Sequence, residues 1–286
     1  MSAYPPPWHC GERVLTFAER PLIMGVLNVT PDSFSDGGRY ADPDAAVAHG
    51  LRLAEEGADI IDVGGESTRP GAAEVPEAEE RRRVEPVVRA LAQHGLLVSI
   101  DTRKAGVAQA ALRAGAAIVN DVTALRGDPQ MAAVARAAGA GVVLMHMRGT
   151  PATMQNDPRY ENVVADVAAY LAERAQAAQQ AGLAAERLAL DPGIGFGKTV
   201  EHNLALLAAL DRLGGGRYPL VVGLSRKSFL GRLTGRPVEE RLAASLAGLV
   251  YAALRGAQVL RVHDVRESRD ALKVLTALRA AEGQSR

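Results

Sequence analysis

Short apolar runs recur along the chain, and each turns polar at its end before a stretch with helical spacing begins. The runs occupy 21–28, 59–64, 96–100, 116–119, 141–145, 188–190, 219–224 and 257–260. They are continuous rather than alternating, as strands covered on both faces are. Between them, apolar spacing predicts helices. The first starts at Asp42 or Asp44 and carries Ala45, Val47, Leu51 and Leu53. Others are predicted over 76–94, around Val107, Ala111 and Leu112, and over 129–138, 160–181, 203–213, 238–254 and 268–281. About eight strand–helix units in an even series is the number that closes a TIM barrel. The expectation is therefore an α/β protein, a single-domain (β/α)8 barrel over 21–284, behind an N-terminal extension, 1–20. An open doubly wound sheet is the alternative, and the even repetition and the length favour closure.

The polar residues at the run ends all lie on one side. Asn28, Thr68, Asp101, Asn120, His146, Asp191, Lys227, Arg261 and His263 stand at or just past C-terminal strand ends. In a closed barrel those ends gather at one mouth, where barrel enzymes work. Polar residues also simply mark strand exits, which is adequate for any one of them. It is strained for the whole set, because converging Asp, Asn, Lys, Arg and His are costly unless paired or used. Buried and unpaired, Asp101 and Asp191 would tend to take up protons. A flat heterocycle with N–H donors on one edge would satisfy them. Lys227, Arg261 and His263 add positive charge suited to phosphate.

The densest stretch is Leu190-Asp191-Pro192-Gly193-Ile194-Gly195-Phe196-Gly197-Lys198-Thr199. A carboxylate ends an apolar run and a glycine-rich loop follows, which lets backbone approach a ligand. It is neither of two familiar motifs. The phosphate-cradling loop needs glycine where Pro192 stands, and the dinucleotide fingerprint needs it at Lys198.

Composition narrows the classes. Among 286 residues, 33 basic and 33 acidic residues balance to zero, so nothing suggests nucleic acid or a membrane surface as a partner. No apolar run approaches the roughly 20 residues that span a bilayer, and Met1 to Trp8 lacks a signal pattern; a cytoplasmic protein is expected. The single cysteine, Cys10, excludes an intrachain disulfide framework and a Cys-based zinc site, and reads as an incidental thiol near a loose terminus. His49, His94 and His202 read as surface residues. There is no HExxH. A Mg²⁺ held partly by a pyrophosphate would need only one or two protein oxygens, for which Asn28 is a candidate.

The motifs are specific enough to name a resemblance. Met24-Gly25-Val26-Leu27-Asn28-Val29-Thr30-Pro31-Asp32-Ser33-Phe34-Ser35-Asp36-Gly37-Gly38 resembles the first signature of dihydropteroate synthases. Asp62-Val63-Gly64-Gly65-Glu66-Ser67-Thr68-Arg69-Pro70-Gly71 resembles the second. Ser99-Ile100-Asp101-Thr102, Val119-Asn120-Asp121, Leu144-Met145-His146-Met147, Asp191 to Phe196, Gly223 to Phe229 and Arg261-Val262-His263-Asp264 continue it in order.

The resemblance implies a TIM barrel, commonly a homodimer, that uses Mg²⁺. It condenses (7,8-dihydropterin-6-yl)methyl diphosphate with 4-aminobenzoate to dihydropteroate and diphosphate, in folate synthesis. It implies that Asp101, Asn120, Met145, Asp191 and Lys227 bind the pterin, although Met145 reads nearly as well as barrel core. Asn28, Arg69, Arg261 and His263 would hold the diphosphate, with Asn28 on Mg²⁺. Thr68, Arg69, Pro70, Phe196 and Ser228 would frame the aminobenzoate. Lys227, Asp101, Arg261 and His263 would carry the chemistry. The loops at 32–38 and 68–71 read as lids. Two alternatives keep the barrel: a methyltetrahydrofolate-dependent methyltransferase domain and a non-catalytic pterin-binding homologue. The first would not need the Ser67 to Gly71 loop, and the second should have lost charged mouth residues. Leu246, Leu249, Val250, Leu254, Leu272, Val274, Leu275 and Leu278 could pair subunits, or face the core, the more ordinary place for most of them.

Overall fold

The computed structural model describes residues 5–30, 42–67, 74–150, 153–155 and 157–284. Thr68, Arg69, Pro70 and the loops at 32–38 and 68–71 lie outside these. The described chain opens with a hairpin, β1 (Trp8–Cys10) and β2 (Arg13–Leu15), paired antiparallel. The strands that follow are β3 (Leu22–Asn28), β4 (Ile60–Gly64), β5 (Val98–Asp101), β6 (Ile118–Asp121), β7 (Gly141–Met145), β8 (Leu188–Asp191), β9 (Val221–Gly223) and β10 (Val259–Val262). They form one sheet in the order β8-β7-β6-β5-β4-β3-β10-β9, parallel throughout. The two ends of that order meet. Leu190 bridges Leu220 in parallel, and its amide donates to the Pro219 carbonyl at 2.9 Å. The sheet is thus a closed barrel, as the repeat predicts.

Helices surround it: α1 (Pro43–Glu55), α2 (Glu77–Gln93), α3 (Ala105–Ala114), α4 (Met131–Ala137), α5 (Val163–Gln180), α6 (Val200–Ala208), α7 (Leu210–Leu213), α8 (Ser228–Thr234), α9 (Leu242–Leu254) and α10 (Val265–Gln284). Their starts follow from capping. Asp42 accepts from the Asp44 amide ahead of α1, and Thr199 with His202 forms a reciprocal cap on α6. That cap starts α6 three residues before the expected 203, and the helix breaks at Ala209. The helix expected over 238–254 is shorter. α8 precedes it and stops at Gly235, whose φ is 70°. Pro237 and one 3₁₀ turn then delay α9 to Leu242. His202 is half-buried through its cap rather than simply on the surface.

Strand side chains alternate between two environments. Ile23, Leu27, Ile61, Val63, Ile100, Val119, Leu144, Leu190 and Leu260 point outward and join the apolar layer under the helices. The intervening residues point into the barrel. Their lower layer is apolar: Met24, Ile60, Ile118, Val143, Ala189, Val221 and Val259 pack with Trp8, Cys10 and Phe17. The hairpin is therefore the floor of the barrel. The Trp8 indole N–H donates to the Arg187 carbonyl at 2.9 Å, and the Gly11 amide to Gly139 at 3.0 Å.

This corrects the reading of Cys10 as a thiol on a loose terminus. Cys10 is fully buried in the floor, because the short β1–β2 pair has one apolar face and the open barrel end needs a cover. Burial pushes its thiol well above the usual range, against the opposing charge of Arg187. Cys10 should therefore resist alkylation in the native protein and react only on unfolding. Rapid labelling by a thiol reagent in buffer would contradict that placement.

Candidate active site

Above the floor the inward residues turn polar. Asp62 of β4 is fully buried, and its Oδ2 accepts from two neighbours. Arg261 Nε on β10 donates at 2.6 Å, and Asn120 Nδ2 on β6 at 3.0 Å. Arg261 Nη2 also donates to Asp101 Oδ2, on β5, at 2.8 Å. One guanidinium thus spans two carboxylates, the fork geometry that lysine lacks. Asp101 thus has in Arg261 one of the partners that its burial calls for. Asp62 Oδ1 is buried without a hydrogen-bond partner among the described residues. An ordinary core leaves few such atoms, and one N–H donor would satisfy it.

A second group faces the first across the mouth. Asp191 ends β8, and its Oδ1 accepts from the Gly193 amide at 2.6 Å. Lys227 follows β9; its Nζ donates to the Ile194 carbonyl and lies 4.6 Å from the centre of the Phe196 ring. Met145 pairs in register with Asp191. It is buried but joins neither apolar cluster among the described residues, which places it in the polar layer's wall. Asn28 stands level with Gly64 and Asp101 at the top of β3, β4 and β5. The Ser225 hydroxyl lies 3.1 Å from His263 Nδ1 and 3.3 Å from the His263 amide. Ser228 is exposed at the first turn of α8, one residue beyond Lys227.

The electrostatics follow from this crowding. Burial, with the charges of Asp62, Glu80 and Asp121 beside it, pushes Asp101 up to about 7 in spite of Arg261. Burial also raises Asp191, with Lys227 opposing. It lowers Lys227 to about 8, against the pull of Asp191. Arg261 stays charged: burial works against its cation, but Asp62 and Asp101 hold its pKa above the ordinary value. A set of acids and bases displaced toward neutrality is typical of working sites.

Sequence reasoning missed Asp62, although the signal is present. Asp62 lies two residues before Gly64 in the run 59–64, on the same strand face. It also missed Lys198, set aside as a failed motif position. Lys198 is only 3% exposed, in the loop between β8 and α6.

With this geometry in view, comparison with known proteins is informative. The family model described as "Pterin binding enzyme" matches residues 24–263. The dihydropteroate synthase of Escherichia coli (strain K12) is 48% identical over 267 residues, covering 93% of this chain and 94% of its own length. Xanthomonas albilineans dihydropteroate synthase, solved with 4-aminobenzoic acid, superposes with a TM-score of 0.90 at 51% identity. It covers 96% of this chain and 99% of its own. The same enzyme solved in complex with 7,8-dihydropteroate gives a TM-score of 0.87 at 49% identity, with coverages of 96% and 99%. The chain belongs to the pterin-binding enzymes and, among them, to the dihydropteroate synthase family.

Proposed function

We propose that this protein condenses (7,8-dihydropterin-6-yl)methyl diphosphate with 4-aminobenzoate, giving 7,8-dihydropteroate and diphosphate. The observation that carries the reading is the single mouth in which Arg261 joins Asp62 and Asp101, Asn120 donates to Asp62, and Asp191 and Lys227 stand opposite. Those groups suit a flat ring with N–H donors and an anionic tail. Asp101, Asn120, Met145, Asp191 and Lys227, joined by Asp62, hold the pterin. Asn28, Arg69, Arg261 and His263 hold the diphosphate, and Thr68, Arg69, Pro70, Phe196 and Ser228 frame the aminobenzoate.

In the reaction the bond from the pterin methylene carbon to the diphosphate oxygen breaks, and its electron pair leaves with the oxygen. The amine lone pair then forms the C–N bond, and the nitrogen's proton passes to the departing diphosphate or to water. Arg261 and His263 stabilise the charge gathering on the leaving group. Asp101, Asp191 and Lys227 keep the electron-rich ring oriented, and Phe196 aligns the amine, lowering the entropy of encounter. Asp101, Lys227, Arg261 and His263 are the groups nearest the chemistry in this scheme.

Mg²⁺ fits the donors only in one way. Among the described residues no group of three or more His, Cys, Asp or Glu could chelate a metal. Asn28 would therefore supply one amide oxygen, with diphosphate and water completing the shell. Bound so, Mg²⁺ would neutralise leaving-group charge.

Purified protein should form dihydropteroate from the two substrates, and chelation of divalent cations should suppress the rate. A protein that binds pterin but turns nothing over would sink the proposal.

We infer that the partner is a second copy of this chain, paired through α9 and α10. Leu254, Val274 and Leu278 are 53%, 61% and 59% exposed, and Tyr251 44%; Leu249, Leu272 and Leu275 face the core instead. Arg279 on α10 donates to the Ala253 carbonyl at 3.2 Å, joining the two helices into one face. The double variant Leu254→Glu/Leu278→Glu should elute as a monomer with light scattering where the parent is a dimer. An unchanged mass would assign the interface elsewhere. No described helix is long and apolar enough to cross a membrane.

A further inference from the structure

The loop from Asp191 to Lys198 is held by side chains at nearly every backbone group. Its amides at Gly193 and Gly195 donate to Asp191 Oδ1 at 2.6 Å and Asn203 Oδ1 at 2.7 Å. Its carbonyls from Gly193 to Gly197 each accept a side-chain donor. Lys198 serves Gly193 and Phe196, both at 2.9 Å. Lys227 serves Ile194, Gln155 serves Gly195 at 2.7 Å, and Tyr160 serves Gly197 at 2.8 Å. Gly193, Gly195 and Gly197 have φ of 65°, 83° and 63°, a left-handed conformation that a side chain would strain. A Cβ at Gly193 would also collide with the His146 carbonyl.

Lys198 is the member that the reaction scheme does not use. An ammonium carries three N–H donors, and three acceptors lie at 2.9 Å: the two carbonyls and His146 Nδ1. Burial and the neighbouring ammonium push His146 down to about 3, so its ring is neutral and Nδ1 is free to accept. Among the described residues Lys198 makes no ion pair within 4 Å. Burial lowers Lys198 to about 7 against the pull of the Asp191 carboxylate, and its donors hold the two carbonyls that flank Ile194 to Phe196.

We propose that Lys198 is a positioning residue for the aromatic amine, fixing the loop so that the Phe196 ring presents a preformed face to it. This rests on the condensation reading above. In wild-type protein the two carbonyls flanking Ile194 to Phe196 are pinned through one side chain, so losing it frees the ring while leaving the pterin-binding strand ends in place.

The test is steady-state kinetics on the full-length Lys198→Met variant. The KM for 4-aminobenzoate should rise about tenfold, as misplacement of a positioning group does. The kcat and the affinity for a pterin lacking a leaving group, measured by calorimetry, should stay within about twofold. In a Phe196→Ala background the same substitution should add almost nothing, because Lys198 acts through that ring. Equal rises in both KM values, additive effects in the double variant, or wild-type kinetics would each overturn the proposal. Lys198→Gln, which keeps two donors, is the second variant if methionine prevents folding; failure of both to fold would make Lys198 a folding residue and reject the role. A wild-type protein without turnover would reject the underlying reading instead.

Discussion

Arg261→Ala should lower stability by about 3–5 kcal/mol, the loss expected when one partner of a buried ion pair is removed. It should also reduce kcat by about 10²–10³-fold, the usual effect of deleting one donor to a developing anion. The sequence suggests a diphosphate ligand alone, for which only the second effect follows. The structure adds the first. Arg261 is the partner of Asp62 at 2.6 Å and of Asp101 at 2.8 Å, so alanine strands two carboxylates inside the barrel. The destabilisation should grow with pH. Asp101 has a folded pKa near 7, above its unfolded value near 3.9. The stability this contributes is fully present below about pH 4 and is lost between there and the folded pKa near 7, an upper limit that moves higher once Arg261 is gone. Urea unfolding at pH 5 and pH 8 reads this directly. Adding Asp62→Asn to the variant should recover stability but not turnover. A single variant as stable as the parent at pH 8 would mean that the two acids find other partners.

The barrel itself is legible from the sequence because its signal is repeated. Eight apolar runs each end in polar residues, and a closed sheet is the arrangement that uses them all. Boundaries are less legible. The short helix α8 and the break at Ala209 depend on Gly235, Pro237 and local caps, single residues within a long apolar stretch. The hairpin floor is invisible for a different reason: Trp8 and Cys10 acquire meaning only once the barrel leaves an open end to cover. For the site, residues at strand ends are easy to see, and those one step lower are not. Asp62 and Ser99 sit within apolar runs, where a continuous reading hides the two-residue rhythm Ile60-Asp62-Gly64 and Leu97-Ser99-Asp101. Read with a period of two, the inward face goes from apolar to polar along each strand. Lys198 is beyond that rule, since its role depends on carbonyls brought around it by three left-handed glycines.

Lys227→Ala should cut kcat/KM for the pterin diphosphate by about 10³-fold or more, with the fold retained. Retention follows from linkage. Burial holds Lys227 near 8, below its unfolded value near 10.4. A depressed lysine contributes fully only at high pH, and that contribution is lost as pH falls through the folded pKa. At pH 7 the charged side chain therefore opposes folding, and its removal relieves that. The functional loss comes through Asp191. Lys227 is the strongest of the charges that hold Asp191 down against burial; its removal shifts the carboxyl further toward the protonated form, which offers a donor where the pterin needs an acceptor. The pH dependences of the two proteins should then differ. Pterin affinity of the parent should fall above about pH 8 as Lys227 loses its proton. That of Lys227→Ala should lack this fall, because the group that titrates there is gone. Calorimetric titrations from pH 6.5 to 9.5 distinguish them (an interval chosen to span about a unit and a half either side of Lys227). Parallel curves would show that Lys227 and Asp191 do not act as a pair, and that the lysine reads the ligand on its own.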